Sequence, residues 1–218
     1  MRVAIVGGPG IGKSTLVRQL GDLYHNGSYG EGEKGVWDPR VLADIEAGRN
    51  PVGVTAYFAA LYDANYRDAA SHDGPGKVIF FEGARLTLEA HIAEYPPEFH
   101  TELRKVLAMG DAWMPDKVIV LTSSTDTIDK HIRLRNRPFE PADTMVRRFR
   151  LIDGEFRRLA SLYPQAVLIN RDGKEFHDRE GLIGIIRQAG LPPFREIPYV
   201  QMDRFPDSWR EEGWTGAT

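Results

Sequence analysis

The strongest constraint on the fold lies at the start of the chain, in MRVAIVGGPGIGKSTLVRQL. The apolar run Val3 to Val6 reads as a buried strand, and Ser14 to Tyr24 carries helix-forming residues. Between them, Gly7, Gly12, Lys13 and Ser14 fit the pattern G-x-x-x-x-G-K-[ST] in the strand–loop–helix context that gives the pattern its meaning. Glycines let backbone N–H groups turn inward around an anion, and the following helix presents the positive end of its dipole. Lys13 can then reach β- and γ-phosphates, and the Ser14 hydroxyl can bind Mg²⁺. A ligand-free glycine turn would account for the glycines but not for the Lys-Ser pair. Gly8, Pro9, Gly10, Ile11, Gly12, Lys13, Ser14 and Thr15 are therefore the expected phosphate-binding set.

The rest of the chain repeats the alternation of apolar runs with helical periodicity. Val3–Val6, KVIFF (77–81), KVIVL (117–121) and AVLI (166–169) are apolar without polar alternation, as in strands covered on both faces. A fifth strand, carrying a substrate carboxylate, is expected near 30–36. Helices are expected over 14–24, 39–47, 54–70, 86–94, 98–109, 125–135, 142–162 and 179–188. This is the pattern of an α/β protein of the P-loop NTPase type, a three-layer sandwich with a five-stranded parallel sheet and helices on both faces. Residues 1–190 are read as one domain and 191–218, rich in proline, aromatics and charge, as a tail packing on it or on a partner.

With 218 residues, 42% of them hydrophobic, the chain can bury one sizeable core. A net charge of −3 gives no global electrostatic case for binding nucleic acid or an anionic membrane. The absence of cysteine excludes disulfides, zinc-thiolate sites and thiol nucleophiles. No stretch approaches the ~20 apolar residues of a membrane span, and no secretory pattern opens the chain, so a cytoplasmic location is expected.

Three further constellations bear on chemistry. IDKHIRLRNRPFE places Arg133, Arg135 and Arg137 at alternating positions, with Asn136 and Pro138 breaking the helix there. An arginine-dense loop of this kind, over about 133–142, can close on phosphates and neutralise charge in phosphoryl transfer. FFEGARL puts Glu82 at the carboxyl end of an inner strand, where an α/β sheet binds its ligands, so it suits Mg²⁺. SYGEGEKGVWDPR offers Glu31 or Glu33 as a base toward an acceptor hydroxyl, and Trp37 as a stacking surface. Tyr57, on the aromatic-rich helix that follows, is a candidate for contact with the acceptor.

In order and spacing, GGPGIGKST, EGEKGVW, an aromatic-rich helix, FFEGARL and HIRLRNRPFE resemble the deoxynucleoside kinases, relatives of thymidylate kinase, over roughly residues 1–170. The resemblance implies an ATP- and Mg²⁺-dependent kinase acting on a hydroxyl of a nucleoside-like substrate. It implies phosphate contacts for the lid residues Arg135 and Arg137, a metal role for Glu82, and a sugar contact for Glu140; Arg133 is expected at the nucleotide from its place in the arginine-dense loop. The chain departs from that family at the acceptor side: Gly32 stands where the base is expected, so Glu31 or Glu33 must serve. Gly83 stands where an arginine follows the strand-end glutamate, with Arg85 two positions later. No glutamine for base recognition stands out in the aromatic-rich helix. The alternatives left open are a nucleoside monophosphate, or a hydroxymethylated pyrimidine in DNA of the phage type. A non-kinase P-loop switch would want a switch aspartate at a strand end and no arginine lid. The sequence leaves a homodimer open.

Overall fold

The computed structural model describes residues 1–25, 28–30, 37–109, 114–135, 141–173, 176 and 178–194, with the side chain of Arg135 outside that description. Five strands form one parallel sheet: β1 (Arg2–Gly7), β2 (Ser28–Tyr29), β3 (Ile79–Glu82), β4 (Lys117–Thr122) and β5 (Ala166–Asn170), in the order β2-β3-β1-β4-β5. The helices are α1 (Lys13–Tyr24), α2 (Pro39–Ala47), α3 (Pro51–Ser71), α4 (Arg85–His91), α5 (Pro97–Met109), α6 (Thr125–Arg135), α7 (Ala142–Ala160) and α8 (Arg179–Ala189). The α/β sandwich expected from the alternation of runs is the observed one.

Strand β1 shows why its sequence is apolar on every residue. Val3 and Ile5 belong to a core with Leu16, Val17 and Leu20 of α1 and Ile185 of α8, while Ala4 and Val6 pack with Leu86 of α4 and Phe156 of α7. Both faces are thus covered, and Val3 through Val6 have no exposed surface. A third apolar cluster, with Tyr62, Leu88, Ile92, Leu103 and Leu107, joins α3, α4 and α5 beside the sheet. Because β3 and β4 lie on opposite sides of β1, the connections diverge at the carboxyl end of β1, the place where such sheets open a ligand crevice.

Two expected elements are corrected. The second strand among the described residues is the two-residue edge strand Ser28–Tyr29, pairing with Phe80 and Phe81, ahead of the expected 30–36; Gly30 falls outside the strand and 31–36 lie outside the described residues. An edge strand this short needs no apolar run. It is held by Tyr29, whose ring stacks on Phe81 at 5.4 Å and whose hydroxyl donates to Asp68 at 2.7 Å. The helix expected over 86–94 stops at His91 and tightens into a 3₁₀ turn, Ile92–Glu94.

Helix ends follow their local chemistry. Asp38 accepts from Arg40 N–H, Asn50 from Gly53 N–H, and Asp178 from Glu180 and Gly181 N–H, each with Pro or polar residues entering the first turn. Past α8, Leu191 is buried, the Tyr24 hydroxyl donates to Pro192 O at 2.5 Å, and Phe194 packs edge-on against Tyr24. Residues 195–218 of the expected tail lie outside the described residues. Among the described residues no helix is long and apolar enough to cross a membrane.

Candidate active site

The loop after β1 is held in shape from three sides. A side-chain carbon at Gly8 would sit 2.5 Å from the Phe149 ring of α7, and one at Gly10 would sit 2.8 Å from Ile132 of α6. At Gly12 it would meet Arg171 and Phe176, each at 3.1 Å. Gly12 also adopts φ +94°, a conformation L side chains rarely take, and from it the chain turns directly into α1. The first residue of that helix is Lys13, whose Nζ donates back to the Gly8 carbonyl at 3.4 Å. The lysine therefore spans the loop from its last residue toward its first.

Ser14, the next residue, donates from Oγ to Glu82 Oε1 at 2.8 Å. Glu82 arrives there by strand alternation: Ile79 and Phe81 pack toward α3, whereas Phe80 packs in the α1 core and Glu82 points the same way. Its position opposite Ile5 brings it level with the end of β1, and it is buried. Gly83 then takes φ +83° while its N–H donates to Ile5 O, so an arginine at this position would be strained. That backbone turn is a physical reason for the Gly83 departure. Ser14 Oγ and the Glu82 carboxylate thus form a pair of hard oxygen donors at the head of α1, a chemistry suited to Mg²⁺, which is commonly held by one or two protein oxygens plus phosphates and water.

Arg85 engages a different partner, Glu89. It opens α4, with Nε 3.8 Å from Glu89, and lines a groove of about 580 Å³ between α4, α5 and α7 with His100, Arg104 and Arg158. No residue of the phosphate loop lines that groove. Trp37 and Tyr57 come together on Phe58, whose ring meets theirs edge-on at 5.1 and 5.4 Å. Both flank the aromatic cluster of α3, α4 and α5. Glu31 and Glu33 lie outside the described residues, but the segment entering them is tied to α3 by Asn65 Nδ2 donating to Gly30 O at 3.4 Å.

Where the lid is expected, Arg133 donates to Asp129 at 2.8 Å and to Asp143 at 2.6 Å, bridging the end of α6 to the start of α7 with its side chain about half exposed, at 54%. Arg135 is the last residue of α6; Arg137 and Glu140 lie outside the described residues. Both helices on either side of the expected lid, α6 through Ile132 and α7 through Phe149, touch the phosphate loop.

Several supporting residues escaped the reading of the sequence. Asp172, after β5, accepts from the Ser123 hydroxyl at 2.6 Å and from Ser124 N–H at 3.0 Å, and these bonds hold its carboxyl down to about 2. It thereby fixes the start of α6. Glu94 is bound by the Arg148 guanidinium and by His91; burial would raise its carboxyl, but these bonds hold it at about 2 against the ordinary 4.5. Arg171 and Phe176 brace the loop at Gly12. The rule that singles out Glu82, position at the carboxyl end of a strand, applies equally to Arg171 and Asp172.

These features define the class: the chain has the fold of the P-loop nucleoside and nucleotide kinases. A deoxyadenosine kinase from M. mycoides with bound products superposes with a TM-score of 0.66 at 14% identity, over 87% of this chain and 99% of that one. A thymidylate kinase from Candida albicans gives 0.67 at 14% identity, over 85% and 90%. A NadR protein in complex with NR gives 0.56 at 17% identity, over 89% of this chain and 51% of its own. No family model and no curated protein matches the sequence.

Proposed function

We propose that the chain is an ATP-dependent kinase that transfers the γ-phosphoryl group to a hydroxyl of a deoxynucleoside or a close relative. The observation that carries this reading is the Ser14–Glu82 hydrogen bond of 2.8 Å directly beside Lys13 at the head of α1, at the carboxyl end of the central strand. A nucleoside or nucleotide as substrate is further supported by the likeness to deoxyadenosine kinase and thymidylate kinase folds.

In this reading residues 1–190 are the kinase domain, and the loop amides with Lys13 hold the donor phosphates. Ser14 and Glu82 would hold Mg²⁺, which when bound neutralises charge on the phosphates. Glu31 or Glu33 accepts the proton of the acceptor hydroxyl as its oxygen bonds to the γ-phosphorus and the bond to the β-phosphate oxygen breaks, releasing ADP. Arg135 and Arg137 neutralise the charge that develops on the transferred group, with Glu140 and the Trp37–Tyr57 wall on the acceptor. Arg133, engaged by Asp129 and Asp143, contributes by fixing the lid's base.

The test is label transfer from γ-labelled ATP with Mg²⁺ to a panel of nucleosides, nucleoside monophosphates and hydroxymethyluracil-containing DNA, with Lys13→Ala as control. Label on a nucleoside hydroxyl, lost in the variant, is the expected result. Label only on a monophosphate or on DNA overturns the acceptor, and equal turnover by Lys13→Ala overturns the phosphate site.

A further inference from the structure

Arg171 immediately follows β5, on the far side of β4 from the strand that feeds the phosphate loop. Its Nη1 nevertheless reaches the loop and donates to the carbonyl oxygen of Ile11 at 2.8 Å. The guanidinium carbon lies 4.7 Å from the centroid of the Phe176 ring, which is itself buried in the α1 and α8 core. Ring and core together make a rigid shelf for a planar cation. The same two side chains stand 3.1 Å from where a side chain on Gly12 would begin, so the arginine is seated against the turn at 11–12.

That contact has a geometric consequence for the next peptide group. Among the described residues no peptide bond is cis. In a trans peptide the C=O of one residue and the N–H of the next point in opposite directions. A hydrogen bond that draws the Ile11 carbonyl toward Arg171 therefore turns the Gly12 N–H away from Arg171. The left-handed φ of Gly12 then sends the chain into α1, whose first residue, Lys13, reaches across the loop to Gly8.

We propose that Arg171 is a positioning residue of the donor site: by holding the Ile11 carbonyl outward it aims the Gly12 N–H into the loop, where that N–H binds a phosphate of the nucleotide. Arg171 does so from outside the cradle, and its effect is on polyphosphate and not on the nucleobase. The inference rests on the donor-site reading above.

The experiment measures displacement of a fluorescent ADP by ADP and by inorganic tripolyphosphate, a probe with no base, in Mg²⁺. Arg171→Met keeps the stem and removes every donor; it should weaken ADP and tripolyphosphate by the same factor, about ten- to a hundredfold, the usual worth of a hydrogen bond to a charged group. Arg171→Lys, with a charge but no planar fork, should recover part of that loss, and the acceptor KM should not move in either variant. Unchanged affinities overturn the inference. So does weakening of ADP with tripolyphosphate unaffected, because Arg171 would then act on the base. Should Arg171→Met not fold, Arg171→Lys decides: a loss of threefold or more for both probes with an unshifted melting midpoint supports the role, and wild-type affinity for both ends it. If wild type binds neither probe, or binds no better than Lys13→Ala, the donor-site reading fails and this role with it.

Discussion

Gly8→Ala isolates one contact by which α7 shapes the phosphate loop. Gly8 does not lie in the left-handed region, so alanine meets no backbone penalty there, and the whole cost comes from Phe149. The new methyl carbon would stand 2.5 Å from one ring carbon and 3.0 Å from the next, against an optimum of about 3.5–4.0 Å for two carbons. Relief demands a shift of roughly 1 Å by the ring or by the loop. The ring cannot swing into solvent, being 1% exposed and packed among Met145, Val146 and the strand residues. Overpacking of this kind costs about 1–3 kcal/mol, or roughly 2–12 °C in the melting midpoint of a domain this size. Differential scanning calorimetry of Gly8→Ala, Phe149→Leu and the double variant provides the assay. Phe149→Leu removes the obstructing ring, so the double variant should be less destabilised than the sum of the singles by about 1 kcal/mol or more. Strict additivity, or a Gly8→Ala protein as stable as wild type, would refute the contact as the cause.

Glu94→Gln removes a carboxylate whose drop from 4.5 to about 2 is worth on the order of 3 kcal/mol. A depressed folded-state value means that this stability is present above the ordinary carboxyl range and lost as pH falls from about 4.5 toward 2. The gap between wild type and variant in urea unfolding should accordingly be constant above pH ~5 and narrow below it; a gap unchanged at pH 3 counts against the His91–Glu94–Arg148 network as its source. Arg135→Ala and Arg137→Ala should each lower the transfer rate more than they weaken substrate binding, and wild-type kinetics in both would leave the lid without a role. Of Glu31→Gln and Glu33→Gln, one should cost about 10²–10⁴-fold in rate and the other little; full activity in the double variant would move the base elsewhere.

The sequence alone determined the frame of this protein, because the signals involved are local. A strand buried on both faces must be apolar at successive residues, as 3–6 and 118–121 are, and a phosphate loop must carry its glycines, Lys13 and Ser14 contiguously. Glu82 was legible for the same reason: it ends such a run. What only the tertiary structure decided is which distant side chains meet that loop. Phe149, Ile132 and Arg171 lie on two helices and after a strand more than a hundred residues away; nothing local marks Phe149 or Ile132 as partners of Gly8 and Gly10, and the strand-end position of Arg171 points to the ligand side of the sheet without naming Ile11 as its partner. The edge strand at Ser28–Tyr29 was not legible because two residues pairing on one side carry too little apolar pattern to register. Arg85 stands two positions after Gly83, and only the tertiary structure shows where it goes: after the left-handed turn at Gly83 it opens α4, with Nε beside Glu89 and its side chain on the groove beyond. Sequence spacing measures distance along the chain; the direction of a side chain after a strand end is set by the backbone turn that follows it.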